Sequence, residues 1–496
     1  MNYLSILLLF VGSLLAAADK PNFVIFLVDD MGVMDTSVPF LTDKAGNPVK
    51  YDLNKFYKTP AMEDLASKGL RFSTFYANSV CSPTRASIMT GQTAARHKTT
   101  QFIKPETKNT GGNGPKDWNW AGLTSQHVTL PRIMQKAGYK TIFSGKAHFA
   151  PEGKEGENPE VLGFDVNIAG CAYGQPGSYY GKKNFGHGIK GREKRAVPGL
   201  EKHHGKDIFL TEALTLEVNK EISKAVKDDQ PFFTYMSHYA VHSPFEADPR
   251  FVDNYKNSGK DSRAQAFASM IEGMDKSLHD IQAHLEKLGV AENTIIIFLG
   301  DNGTDAPLGP THKVACSAPL RGKKGTHYEG GMHVPFIAAW AKPSTTSELQ
   351  KKFPITQGIV TQDFADITDL MPTILEMADI KSPSNHTIDG YSLTSYFAKK
   401  EGARPQKFLM HFPHSHRSSY FTSYRQANFK LVYHYLAKND DKYELFDLEK
   451  DPYEQNNLAN SDKNTLQKML TAMKNELTKA DAQYPVSKDD KVLKPE

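Results

Sequence analysis

Six apolar residues without a polar break, Phe23-Val24-Ile25-Phe26-Leu27-Val28, run between Pro21 and the pair Asp29-Asp30. A strand with one wet face alternates apolar and polar side chains. This one does not, so it reads as buried on both faces, the situation of a parallel sheet covered by helices. Residues 140–143, 231–237 and 294–299 read the same way. Between the last two, Phe267, Met270, Ile271, Met274, Leu278, Ile281, Leu285 and Leu288 recur at three-and-four spacing, and Gly289 follows. That pattern predicts an amphipathic helix closed by a glycine. Apolar runs alternating with helical patterns predict an α/β domain: a mostly parallel mixed sheet sandwiched by helices.

The character of the chain changes near residues 399–405. Beyond it, residues 421–435 and 443–448 carry the aromatic faces of antiparallel strands, and a polar helical segment begins near Lys463. A small C-terminal α+β domain with an antiparallel sheet is expected over 401–496, after a large domain over 19–400. Residues 1–18 hold no Lys, Arg, Asp or Glu, and an apolar run at 4–15 leads into Ala16-Ala17-Ala18. This reads as a secretory signal peptide with a small-residue cleavage site, and it is short for a membrane span. No other window is long and apolar enough, so no stable membrane insertion is expected, and the location is expected to be secreted or periplasmic. Sixty basic residues against 56 acidic ones give a net charge of +4, which makes no case for nucleic acid as a partner.

In open α/β sheets the site forms beyond the carboxyl ends of the strands. The strand at 23–28 ends in Asp29-Asp30, and the strand at 294–299 is followed by Asp301-Asn302. Three carboxylates and an amide oxygen make a hard, all-oxygen set suited to Ca²⁺ or Mg²⁺. Lys146 and His148 follow the strand at 140–143, and His242 follows the strand at 231–237. His238 competes with His242, and a histidine at a strand end is more often structural. Cys81-Ser82-Pro83-Thr84-Arg85 reads as a helix start. Ser82 is expected as N-cap, Pro83 as first helical residue, and Arg85 as a donor fork for a tetrahedral oxyanion beside Cys81. No thiol or histidine cluster with zinc spacing appears. Three cysteines, Cys81, Cys171 and Cys316, leave one special thiol if Cys171 and Cys316 pair. The other reading is two separate buried thiols.

Cys81-x-Pro83-x-Arg85 followed by Thr90-Gly91 resembles the activation signature of the type I sulfatases, in the alkaline phosphatase superfamily. Ser144-Gly145-Lys146-Ala147-His148 resembles that family's Gly-Lys-x-His motif, with Ala147 where tryptophan is common. Residues 320–331 resemble its Gly-rich segment, placing Lys324 on the sulfate-binding lysine. Residues 443–458 resemble its C-terminal module, and residues 29–40 resemble exported bacterial polysaccharide sulfatases.

The resemblance implies that Cys81 is oxidised to formylglycine by a maturation system and that its hydrate is the nucleophile. It implies Ca²⁺ on Asp29, Asp30, Asp301, Asn302 and modified Cys81. Arg85 and Lys146 would orient the hydrate, Lys324 would bind sulfate, His242 would protonate the leaving oxygen, and His148 would act as base. A sulfated glycan is the expected substrate, with a lean toward galactose-type sugars. His411, His414, His416 and Arg417, together with His312, are candidate sugar contacts, or else surface loops. Two rival readings are a phosphonate or phosphodiester monoester hydrolase of the same superfamily and an inactive sulfated-glycan-binding homologue. Asp301→Ala is expected to remove activity without unfolding the protein.

Overall fold

The structure, a computed structural model, describes residues 20–106, 112–309 and 316–496. The expected signal segment 1–18 and the candidate His312 lie outside the described residues.

Eight strands form the large sheet: β1 (Asn22–Val28), β2 (Gly69–Tyr76), β3 (Lys140–Gly145), β4 (Val166–Ile168), β5 (Phe232–Ser237), β6 (Thr294–Gly300), β7 (Phe336–Trp340) and β8 (Ile359–Asp366), in the order β4-β3-β5-β1-β6-β7-β2-β8. All neighbours are parallel except that β7 runs against both β6 and β2. The unbroken apolar character of β1 now has its cause. Val24, Phe26 and Val28 enter one core with Met62, Leu214, Val218, Met270 and Met274, whereas Phe23, Ile25 and Leu27 enter another with Ile88, Met134, Leu370 and Ile374. Helices Pro60–Lys68, Leu210–Lys227 and Ser262–Lys287 therefore cover one face, and Cys81–Thr90, Leu130–Lys136 and Leu370–Met377 the other.

The helix expected from the spacing of Phe267 to Leu288 is Ser262–Lys287. It starts earlier than the apolar stripe because the Asp261 side chain accepts from the Ala264 amide, an N-cap that polar residues can set without any core contact. Sequence reading did not single out β2, β7 and β8. β2 carries Arg71, Ser73 and Thr74 among its apolar residues, which blurs its period.

A second sheet, β9 (Lys407–Phe412), β10 (Phe421–Gln426), β11 (Phe429–His434) and β12 (Tyr443–Asp447), is antiparallel in the order β12-β11-β10-β9. Its period-two pattern divides cleanly. Leu431 and Tyr433 pack with Leu470 and Met473 of helix Lys463–Lys479, whereas Val432, Phe412 and Phe421 pack against Tyr76 and Met332 of the large domain. Among the described residues no helix is long and apolar enough to cross a membrane.

Cys171 and Cys316 do not form a disulfide. Cys171 sits 3.5 Å from the Tyr239 hydroxyl, and Cys316 is packed in the core that contains Tyr57 and Leu320. The pairing is replaced by the alternative of two separate buried thiols.

Candidate active site

β3, β5, β1 and β6 are consecutive and parallel, so their carboxyl ends share one edge of the sheet. β2 points the same way, because two antiparallel pairings, β6 with β7 and β7 with β2, restore its direction. Asp29 and Asp30 leave β1, Cys81 comes after β2, Lys146 and His148 leave β3, His242 comes after β5, and Asp301 and Asn302 leave β6. Five chain segments far apart in sequence thus converge by topology alone.

Local backbone sets the aim of each side chain. Gly145 has φ +99, and a Cβ there would lie 1.9 Å from the Ser237 carbonyl oxygen, so only glycine allows β3 to close on β5 before Lys146 turns inward. Asp30 and His148 are both left-handed, with φ 59 and 54. The strain at Asp30 is offset where its amide donates to Asp301 Oδ1 at 3.0 Å.

Helix Cys81–Thr90 is wholly buried and begins two residues earlier than the sequence suggested, with Val80 as N-cap. Ser82 does not cap it. Its hydroxyl accepts from the Ile103 amide (3.1 Å) and donates to the His148 carbonyl (3.2 Å). The hydroxyl is satisfied by tertiary partners, and Cys81 moves into the first turn, beside the free N–H groups at the positive end of the helix.

Cys81 Sγ lies 3.3 Å from His148 Nδ1. His148 Nε2 lies 2.5 Å from the Ile103 carbonyl oxygen, which can only accept, so Nε2 carries the proton and Nδ1 turns its lone pair to residue 81. Burial, and then Lys146, hold the His148 pKa well below the usual range. Residue 81 therefore faces a neutral base.

Arg85 is completely buried and spends its donors on structure. Nε and Nη2 reach Asp301 Oδ2 (3.0 and 2.8 Å), and Nη1 reaches the Lys146 carbonyl (2.7 Å) and Ser237 Oγ (2.6 Å). The expected fork toward an oxyanion is thus directed at a carboxylate, and Nη1 is taken up by a carbonyl and a hydroxyl. Lys146 Nζ is 2.7 Å from Asp29 Oδ2, and Lys324 Nζ is 2.5 Å from Asp30 Oδ1. Burial pushes Asp29 and Asp301 up to about 6. Asp30 is buried too, but Lys324 holds it below the ordinary carboxylate range.

The three carboxylates come within 4.8 Å of one another. Asp29 Oδ1 and Asn302 Oδ1 are buried with no hydrogen-bond partner. Orphaned buried acceptors are costly, and two of them beside clustered carboxylates fit an oxygen-liganded divalent cation.

The pocket above this cradle is a cleft of about 380 Å³ lined by Cys81, His148, His242, Lys324, His416 and Arg417. His242 Nδ1 lies 2.9 Å from the Ser243 carbonyl, leaving Nε2 facing Asp30 Oδ2 at 3.7 Å. Burial and Lys324 lower its pKa to about 3. His238 is buried against Phe26 and 3.0 Å from Ser277 Oγ, a structural residue. Of the sugar-contact candidates, His416 and Arg417 reach the cleft, and Arg417 is gripped by both oxygens of Asp305 at 2.7 and 2.8 Å. His414 does not. It is buried beside Trp118, 2.8 Å from Thr100 Oγ1. His411 is likewise spent on Thr422 and the Gln483 carbonyl. Sequence reading missed Tyr173, Lys194, Arg195 and Asp305 in the cleft wall. The first three lie in a long irregular segment with no periodicity to mark it. A separate cleft of about 250 Å³, lined by Arg96, Asp389, Arg404 and Glu476, holds paired charges.

A sequence model described as Sulfatase matches residues 21–380. The chain belongs to the sulfatase family, the sulfuric ester hydrolases. A second model, N-sulphoglucosamine sulphohydrolase C-terminal, matches residues 323–483 of this sulfatase. It is 29% identical over 506 residues to a sulfatase of Formosa agariphila, covering 89% of this chain and 85% of that one. N-acetylgalactosamine-6-sulfatase of Mus musculus is 29% identical over 394 residues, covering 77% and 67%. Arylsulfatase J of Mus musculus is 27% identical over 402 residues, and the match spans 80% of this chain but 58% of that relative. Among solved structures, Ps i-CgsB superposes with a TM-score of 0.71 at 23% identity, covering 92% and 93% of the two chains. BT4656, solved with D-glucosamine-2-N,6-O-disulfate, gives 0.64 at 17%, covering 93% and 98%. At such identities the structural likeness establishes the fold.

Proposed function

We propose that this sulfatase hydrolyses sulfate monoesters of an extracellular sulfated glycan, with Cys81 matured to formylglycine and Ca²⁺ held by Asp29, Asp30, Asp301 and Asn302. The carrying observation is Cys81 itself: it is buried in the first turn of a helix, faces a bare histidine nitrogen, and stands in a cleft over three clustered carboxylates. The relatives named for sulfated N-acetylgalactosamine and the solved complex with a sulfated glucosamine support a sugar ester, with the galactose type favoured. Maturation by a formylglycine-generating system and export belong to the same reading.

Charge supports it. Asp29, Asp30 and Asp301 are matched by Arg85, Lys146 and Lys324, three against three. A divalent cation in the cradle leaves two positive charges for one sulfate ester anion and one ionised hydroxyl. When bound, the cation supplies electrostatic stabilisation of sulfate oxygens, and the formylglycine hydrate supplies the attacking hydroxyl. The chain's own residues do the remaining work. Lys324 binds a sulfate oxygen, shared with Asp30. His148 Nδ1 takes a proton from a hydroxyl at residue 81, a transfer worth about 10²- to 10⁴-fold. His242 Nε2, in the cleft wall, is placed to hydrogen-bond the leaving oxygen and donates to it once the ring holds a second proton, since Nδ1 keeps its own against the Ser243 carbonyl. Arg85 fixes the angle of Asp301, and Lys146 that of Asp29.

The test is the mass of the tryptic peptide 72–85 from a maturation-competent host, where formylglycine makes it about 18 Da lighter than the cysteine form. An unmodified mass with sulfated-glycan binding would turn the reading to an inactive binder. Preference for phosphonate over sulfate esters would turn it to the sister hydrolases. Chelation is expected to lower kcat by roughly 10²-fold or more, with recovery on adding Ca²⁺. Full turnover after exhaustive dialysis against chelator would remove the metal from the reading.

A further inference from the structure

Away from the catalytic cradle, His327, His434 and Glu444 bring three ligand atoms within 4.8 Å of one another. We propose that these three side chains form a second metal centre, a His₂Glu site for a zinc-class cation, which staples the second sheet to the loop carrying Lys324.

His327 Nε2 is 2.7 Å from Glu444 Oε2, and His434 Nε2 is 3.1 Å from the same oxygen. His327 is 6% exposed, and its Nε2 makes no aligned hydrogen bond despite this closeness. A buried ring nitrogen without an aligned hydrogen bond, 2.7 Å from a carboxylate oxygen that a second histidine nitrogen approaches to 3.1 Å, is an arrangement that one shared cation satisfies.

The donor set is the zinc type, two imidazoles and a carboxylate with a fourth position open. Tetrahedral ligation at about 2.1 Å separates ligand atoms by about 3.4 Å, so the contacts of 2.7 and 3.1 Å to Glu444 open by less than about 1 Å to admit the ion. The surrounding contacts are those that orient metal ligands. Ser418 Oγ lies 3.0 Å from His327 Nδ1, and the Tyr328 hydroxyl donates to Glu444 Oε1 at 2.9 Å. His434 and Glu444 are each 20% exposed at the side chain, which leaves an entry path.

The position gives the centre a role. Glu444 is on β12 and His434 ends β11, whereas His327 lies three residues after Lys324. The Ser418 amide donates to the Gly325 carbonyl (2.9 Å), and Arg417 Nη1 donates to the Lys324 carbonyl (3.1 Å). Clamping His327 therefore fixes both the sulfate-binding lysine and the cleft residue Arg417.

The full-length protein, stripped of metal and resupplied with excess Ca²⁺ to satisfy the carboxylate cradle, is titrated with Zn²⁺ alone. One zinc per chain is expected to survive desalting, to raise the melting temperature, and on exchange with Co²⁺ to give the visible bands of a tetrahedral site. His434→Ala and Glu444→Gln are each expected to weaken binding about 100-fold, in line with the effect of losing ligand support. Both sites are partly exposed, so the variants should fold, and circular dichroism checks it. Zinc retained equally by His434→Ala overturns the proposal. So does a protein that binds no zinc and whose His327–Glu444 pair shares a proton by NMR. Neither result bears on sulfate hydrolysis.

Discussion

Cys81→Ala is expected to reduce sulfatase turnover by on the order of 10⁴- to 10⁶-fold, the scale of losing a covalent nucleophile, with the fold unchanged. Residue 81 is 3% exposed and sits in a helix, and alanine is the best helix former. Loss of one sulfur atom leaves a small gap facing a cleft, so the stability cost should stay near 1 kcal/mol. His148 keeps the Ile103 carbonyl as its partner at Nε2 and stays neutral, so no charge is stranded. Turnover of an aryl sulfate alongside thermal melting measures both. Wild-type rates in Cys81→Ala would place the nucleophile elsewhere and end the formylglycine reading. His148→Ala is expected to fall short of this loss, since the metal cradle and Lys324 remain.

Asp301→Ala is expected to abolish turnover and also to destabilise the protein by about 3–5 kcal/mol. The second effect departs from the sequence expectation of an inactive but unperturbed variant. Arg85 is wholly buried and gives two donors to Asp301 Oδ2, so removing that carboxylate strands a guanidinium that water cannot reach. Asp29 Oδ1, 3.7 Å from Arg85, is too far to replace the lost pair. The double variant Asp301→Ala/Arg85→Met should regain much of the stability, because an apolar pair of similar volume removes the desolvation penalty with the charge. It should regain no activity. Equal melting temperatures for wild type and Asp301→Ala would show that the pair carries no net weight. Arg85→Lys is no conservative change here, since one ammonium cannot serve Asp301, Ser237 and a carbonyl at once.

The clustering of the site was legible because each element declares itself locally. An apolar run with no polar break has to be buried on both faces, and a parallel sheet sends its reactive loops to the carboxyl edge. Asp29, Asp30, Lys146, His148, Asp301 and Asn302 could therefore be placed together from strand ends alone. Gly91, read only as part of the signature, proves to close the Cys81 helix with the left-handed φ of 66 that such an end requires. Direction within the site was not legible. Ser82 had the composition of an N-cap but found Ile103 and His148 instead, partners distant in the chain. Arg85 had the chemistry for an oxyanion but met Asp301 first. His414 looked like a sugar contact by its company, and burial against Trp118 decides otherwise.

What the sequence by itself determined is the strands β1, β3, β5 and β6, the α/β layering and the identities of the reactive groups, because hydrophobic period and turn chemistry are local properties. Only the tertiary structure decided which charges neutralise each other, which way each histidine turns its lone pair, and which walls the cleft has. It also brought His327, His434 and Glu444 to one point, where the chain shows no zinc-type spacing at all. Pairing and desolvation depend on distances between segments that no local pattern encodes.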